Sequence, residues 1–168
     1  MKMYAILKPP VIRLLVKEDI IPAMDMVWKV FSEFIAPDYV EEGINTFKAF
    51  IDPDFVTGKI DRGEFRIWGA FAAGKIVGVI ALRPPHNIAL FSVDGQYHRQ
   101  GIGRKLFDTV LSDKTAIQDW NKIAVNASPY AVNIYRRLGF VPTDAEQTVN
   151  GMRFTPMEFE IINKEQLI

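Results

Sequence analysis

Between Leu90 and Leu106 the chain reads LFSVDGQYHRQGIGRKL. An apolar strand runs out near Val93, and a helix is predicted to open at about Gly103. The loop between them, Arg99-Gln100-Gly101-Ile102-Gly103-Arg104, would turn backbone N–H groups outward at a helix start. Those donors and the positive end of the helix dipole suit a phosphate. Gly101 and Gly103 lack a Cβ, so an anion can approach the backbone. Arg99, Arg104 and Lys105 add positive charge beside it. A dinucleotide fingerprint would need a third glycine where Leu106 stands, and the Gly-Lys-Ser/Thr triplet of a P-loop is absent from the chain. Alone, Gly-x-Gly also serves as a tight strand-to-helix turn.

Other side chains gather chemistry at a distance. Tyr135 offers a phenol with an ordinary pKa of about 10. Helical spacing makes Tyr130, Ile134 and Leu138 a core stripe and puts Tyr135 one step off it, paired with Ala131; by spacing alone it is as much a packed ring as a catalytic one. Asn126 ends a strand before Pro129, where it can cap the next helix. Asn133 reads as a solvated helix residue. Asp38 and Glu41 fit a capping box, with Asp38 at the N-cap and Glu41 at N3. That leaves Glu42 the freer carboxylate, although both also complement a helix dipole. His86 and His98 are the only imidazoles and form no metal pattern. His98 reads as an exposed loop residue.

The elements that must hold these groups follow from periodicity. A strand is predicted at Val11–Val16. A helix from about Pro22 to Ile35 carries Met24, Val27, Trp28, Phe31 and Ile35 on one face, and Ala36-Pro37 ends it. A second helix spans about Tyr39 to Phe50, closed by Asp52-Pro53. Strands at Phe65–Phe71 and Lys75–Arg83 flank the Ala73-Gly74 turn as a hairpin. Then come a strand at Ile88–Val93, a helix to about Ser112, a strand at Lys122–Ala127, a helix at Pro129–Leu138 ended by Gly139, and a hairpin about Asn150-Gly151. The order β-α-α-β-β-β-α-β-α-β-β is an α/β (α+β) arrangement: a mixed sheet of about six to seven strands flanked by helices.

Composition bounds the chemistry. The 168 residues fit one domain, with its core at about 11–160, and 49% hydrophobic content argues against disorder. Lys+Arg and Asp+Glu both number 20, which gives no electrostatic case for nucleic acid or an anionic membrane. Without cysteine there is no disulfide, thiolate metal site or covalent cysteine intermediate. The longest apolar run, Ile76 to Leu82, is too short to span a bilayer, and MKMYAILKPP carries no signal-type apolar region. A cytoplasmic location is expected.

HRQGIGRKLF resembles the pyrophosphate loop of the GNAT superfamily of N-acetyltransferases, usually Gln/Arg-x-x-Gly-x-Gly/Ala, with His98 at the position commonly Gln or Arg. KIAVNASPYAVNIYRRLGF, Lys122 to Phe140, resembles the superfamily's later strand, its helix with a late tyrosine and the closing Leu-Gly-Phe. The terminal NGMRFTPM is similar to one bacterial branch. The blocks stand in the family order, and the resemblance covers roughly residues 11–160.

The resemblance implies a GNAT fold, acetyl-CoA as co-substrate, no metal, and direct transfer to a small-molecule or peptide amine in a ternary complex. It implies that the acyl-pantetheine arm lies between splayed strands Ile88–Val93 and Lys122–Ala127. Phe91, Val93, His98, Arg99, Gln100, Gly101, Ile102, Gly103, Arg104, Lys105, Asn126, Asn133 and Tyr135 would then contact the donor. The Val93 N–H would serve pantetheine and oxyanion, and Tyr135 would be the general acid. The acceptor would meet Tyr39, Glu42 and Asn87. Asn87 stands near where many members carry a glutamate base, and Asn cannot take up a proton at neutral pH. Glu42 is the candidate to receive a cationic amine and its proton, directly or through water held by Asn87 or His86. A homodimer is compatible with the resemblance. The rival reading is a non-catalytic acyl-CoA-binding sensor or docking module.

Overall fold

Two hairpin turns set the sheet. Ala73 and Gly74 have φ of 50° and 77°, and Asn150 and Gly151 have 51° and 75°. Two consecutive positive φ values make the two-residue turn whose twist matches paired strands. The first joins β2 (Arg66–Ala72) to β3 (Lys75–Arg83), and the second joins β7 (Gln147–Val149) to β8 (Met152–Glu160). The structure, a computed structural model, describes residues 8–162. With β1 (Val11–Leu14), β4 (Asn87–Val93), β5 (Lys122–Ala127) and β6 (Val141–Pro142), the strands form an eight-stranded sheet in the order β1-β2-β3-β4-β5-β8-β6, with β7 paired to β8. Every pairing is antiparallel except β4 with β5, which is parallel.

Side chains alternate across the strands, so the sheet buries both faces. On one, Ile67, Val79, Ala81 and Leu90 pack with Ala23 and Val27 of α1 (Ile20–Val30) and Val56 of α3 (Pro53–Asp61). On the other, Val77, Ile80, Ile123 and Val125 pack with Leu106, Phe107 and Val110 of α4 (Ile102–Ser112) and with Tyr135 and Leu138 of α5 (Val132–Leu138). Helix α2 (Glu41–Phe50) lies against β8. It gets there because Gly43 meets the β7–β8 turn so closely that a Cβ would collide with the Gly151 carbonyl.

The structure departs from the periodic reading in four places. The first helix begins at Ile20 and, after Val30, passes into a π-turn over Phe31–Ile35, where the Ala36 N–H bonds the Phe31 carbonyl five residues back. Phe31 anchors that turn, stacked on Phe47 at a centroid distance of 4.0 Å. Asp52-Pro53 does close α2, but Pro53 also opens α3, because its fixed φ and missing N–H suit a first helical turn.

The Asp38–Glu41 capping box does not form. Pro37 holds Ala36–Asp38 in a 3-10 turn, Tyr39 is extended, and Val40 takes the N-cap with no side-chain bond. Glu41 is therefore not occupied by a cap, and the elimination that favoured Glu42 over it falls. Finally, residues 129–131 form a turn rather than helix, and α5 begins at Val132. Its buried face carries Tyr135 and Leu138, with Ala131 packed alongside, whereas Ile134 is 40% exposed. Tyr135, at 6% exposure, is the core-facing residue of this helix.

Candidate active site

Strand β5 is paired to β8 along its length, from Lys122 opposite Glu160 to Ala127 opposite Thr155. Toward β4 the only registered pair is Asn87 opposite Ala124, where the Ala124 N–H bonds the His86 carbonyl at 2.8 Å. Beyond that point the two parallel strands separate. A β-bulge explains why: Ala81 faces Leu90 but Leu82 faces Ile88, so Ala89 is an extra residue on β4. Bulges re-aim a strand edge and end pairing.

The consequence is a row of free donors. Asp94 donates to the Val77 carbonyl at 2.9 Å, and the register Gly78 opposite Val93 continues from it. In an antiparallel ladder, alternate residues bond the neighbour and the rest point away. Phe91 and Val93 are the ones that point away from β3, so their N–H groups face the gap toward β5. Val93 is expected from the sequence to offer its N–H, and Phe91 is expected as a donor contact; after the bulge the Phe91 N–H faces the gap as well. The Val93 carbonyl on the same edge accepts from His98 Nε2 at 2.7 Å. A carbonyl only accepts, so Nε2 carries the proton. His98 is thus half-buried and bonded rather than an exposed loop residue.

Past Val93 the chain reaches the predicted anion loop. Gly101 is the N-cap of α4 at φ 78°, a left-handed conformation that glycine adopts without a Cβ clash. No side chain caps this helix, and its first backbone acceptor contact is Lys105 N–H to the Gly101 carbonyl at 3.0 Å. The N–H groups of Ile102, Gly103 and Arg104 therefore lack intrahelical partners, as the start of a helix requires. A Cβ at Gly103 would rest 3.7 Å from Phe91 and 3.8 Å from Val93, beside the edge that carries the free donors. Arg99 and Lys105 are exposed. Arg104 is not aimed at the loop: its guanidinium donates to the Arg137 carbonyl at 3.0 Å and ties α4 to the end of α5.

Tyr135 closes the gap from the α4–α5 face. Its ring meets Phe91 edge-on at 5.9 Å and Phe140 at 5.2 Å. Burial raises its pKa, so the phenol stays protonated through the neutral range. Its hydroxyl has no hydrogen-bond partner among the described residues.

The other expected residues are spread more widely. Asn87 starts β4 at the closed end of the gap, six residues from Val93, or roughly 20 Å along the strand. Neither it nor His86 is brought to the loop. Asn126 alternates with the buried Val125 and Ala127, so it faces the side away from α4 and α5, and it is exposed, as is Asn133 on α5. The Tyr39 hydroxyl is already engaged: it donates to the Arg153 carbonyl at 2.7 Å, and burial pushes its pKa up to about 12. Glu42 is exposed in the first turn of α2, against the β7–β8 turn.

Two residues at the open end, Glu33 and Phe34, went unassigned in the sequence, and Tyr130, expected in a helical core stripe, instead sits half-buried in the turn before α5. Phe34 stacks on Tyr130 at 5.1 Å and lies against His98 at 5.0 Å, and Glu33 stands beside them. The π-turn carries Glu33 and Phe34, and its added residue rotates the face by about 100° in a way that a regular helical period cannot reveal.

A bulged strand, a parallel neighbour splayed from it and an uncapped helix start thus meet at one cleft. The model of the acetyltransferase (GNAT) domain family matches residues 35–161, most of the chain, and the protein belongs to that family. It is an acetyltransferase that uses acetyl-CoA as co-substrate. Among curated protein sequences none matches. Solved structures share the fold. The GCN5-related N-acetyltransferase from Rhodopseudomonas palustris superposes with a TM-score of 0.77 at 22% identity, over 94% of this chain and 99% of that one. The PaiA N-acetyltransferase from Thermoplasma acidophilum, solved with coenzyme A, gives 0.74 at 18%, over 91% and 99%. A spermidine N-acetyltransferase chimera built on SpeG from Vibrio cholerae gives 0.62 at 18%, over 92% and 96%. Among the described residues no acidic, histidine or cysteine cluster could hold a metal, and no helix is long and apolar enough to cross a membrane.

Proposed function

We propose that the protein transfers the acetyl group of acetyl-CoA to a primary amine by direct attack within a ternary complex. The pyrophosphate would meet the N–H groups of Ile102, Gly103 and Arg104, and the pantetheine arm would run along the gap edge of β4. The N–H groups of Phe91 and Val93 face away from β3 into the gap, which would suit them to stabilise the thioester oxyanion. The C–N bond forms as the C–S bond breaks. The amine gives up a proton to solvent, the sulfur receives one from the Tyr135 hydroxyl, and solvent restores the phenol.

The observation that carries this reading is Tyr135 itself: a buried, protonated phenol against Phe91, on the strand whose donors are free. Fixing both reactants contributes several kcal/mol, roughly 7–11 in the best intramolecular cases. The acceptor would enter from the α1–α3 face, opposite α4 and α5, where Glu42 attracts a cation at the outer edge. A small molecule or a peptide amine fits that approach. Because acetyl-CoA is an intracellular metabolite, a cytoplasmic enzyme is the natural setting.

The test is thiol release from acetyl-CoA across a panel of alkylamines, polyamines and peptides, with Tyr135→Phe beside wild type. The variant keeps the ring and loses one hydroxyl. Its kcat should fall about 10²–10⁴-fold with acetyl-CoA affinity kept. Wild-type turnover would make Tyr135 a packing residue.

A further inference from the structure

The open end of the gap has a lip on each strand. Gly95 follows β4, and Tyr130 follows β5. Phe34 spans the two: a Cβ on Gly95 would come within 2.9 Å of its ring, and its other side stacks on Tyr130 at an interplanar angle of 24°. Glu33 Oε2 lies 3.7 Å from the same Gly95 position. Its charge reaches Tyr130: the phenol's pKa is raised first by burial and then by Glu33. Glu33 is exposed and makes no ion pair with a described residue. It is therefore a carboxylate without a described cation, beside the Phe34 and Tyr130 rings at the open end of the gap.

We propose that Glu33, with the rings of Phe34 and Tyr130, receives the cationic head of the acceptor, selecting aliphatic ammonium groups over neutral nucleophiles. This rests on the acetyl-transfer reading and adds the acceptor's class and its receiving residues. An ammonium over an aromatic face gains from the ring quadrupole, and a carboxylate beside it adds Coulomb attraction. Both belong to the α1 side of the gap, opposite Tyr135, so an amine held there faces the donor from the free side. The π-turn is what delivers them: a regular helix would rotate Glu33 and Phe34 off the gap. Glu33 is a positioning and specificity residue in this account, and the proton donor remains Tyr135.

The test compares Glu33→Gln with wild type, using Glu18→Gln, an exposed carboxylate on another turn, as the control for lost charge. In turnover, Glu33→Gln should raise the KM for a cationic amine about five- to tenfold, with kcat and the KM for acetyl-CoA nearly kept. In parallel, n-butylammonium is titrated into the protein holding coenzyme A, following the Tyr130 ring resonances by NMR, with n-butanol as the neutral counterpart. Butylammonium should shift the rings saturably in wild type and weakly in Glu33→Gln, and butanol should not. Equal responses in the two proteins, or no response to butylammonium in wild type, overturn the proposal. Should thiol release fail with every amine while the Glu33-dependent response persists, the cation site stands and the acetyl-transfer reading falls.

Discussion

Strand β5 has two edges of opposite character. Toward β8 it is closed, with a pairing at every residue from Lys122 to Ala127. Toward β4 it is open after Ala124. The same strand thus serves as scaffold on one side and as the wall of a cleft on the other. The difference does not come from β5, whose residues alternate regularly. It comes from β4, where the extra residue Ala89 turns the Phe91 and Val93 donors toward empty space. One inserted residue on a neighbouring strand accompanies the change from paired sheet to open cleft.

The sharpest way to break the comparison is to attack the closed side. Phe140 is buried among Phe107, Tyr135 and Phe159 at ring distances of 5.2–5.4 Å. Phe140→Ala should cost about 3–5 kcal/mol, read by urea unfolding. A loss below about 1 kcal/mol would mean that this core does not brace β5.

Attacking the open side should leave the fold and remove the donor. Gly103→Glu places a Cβ in ordinary contact with Phe91 and Val93, so the chain accommodates it. The added carboxylate then stands where the pyrophosphate is proposed to bind. Calorimetry should find the variant folded, with no measurable heat of coenzyme A binding. Unchanged affinity in the folded variant would move the donor away from this loop.

The backbone of the proposed donor loop was legible because its geometry is written in residue types. Gly101 must be glycine-like for its φ of 78°, and the Gly-x-Gly at a helix start says so directly. The hairpins at Ala73-Gly74 and Asn150-Gly151 were legible for the same reason. The acceptor half was not. It depends on a π-turn, which inserts a residue into a period that continues to look helical, and on Asp38 and Glu41, whose spacing fits a capping box that Pro37 prevents. Helix α3 was hidden because one proline ended one helix and began the next. On α5, Tyr130, Ile134 and Leu138 share a spacing that only a helix starting at Pro129 would turn into a face, and the turn over 129–131 gives the face to Tyr135 instead.

The acetyl donor should bind along the unpaired edge of β4. Residue-resolved amide exchange measures this at the atoms concerned. In the free protein, Phe91 and Val93 should exchange faster than Ser92, whose amide is turned toward β3. With saturating acetyl-CoA and no amine they should slow about tenfold or more, as a new hydrogen bond to each would require, while Ser92 changes little. If Phe91 and Val93 exchange as slowly as Ser92 before acetyl-CoA is added, or are unaffected by it, the gap is not the donor site.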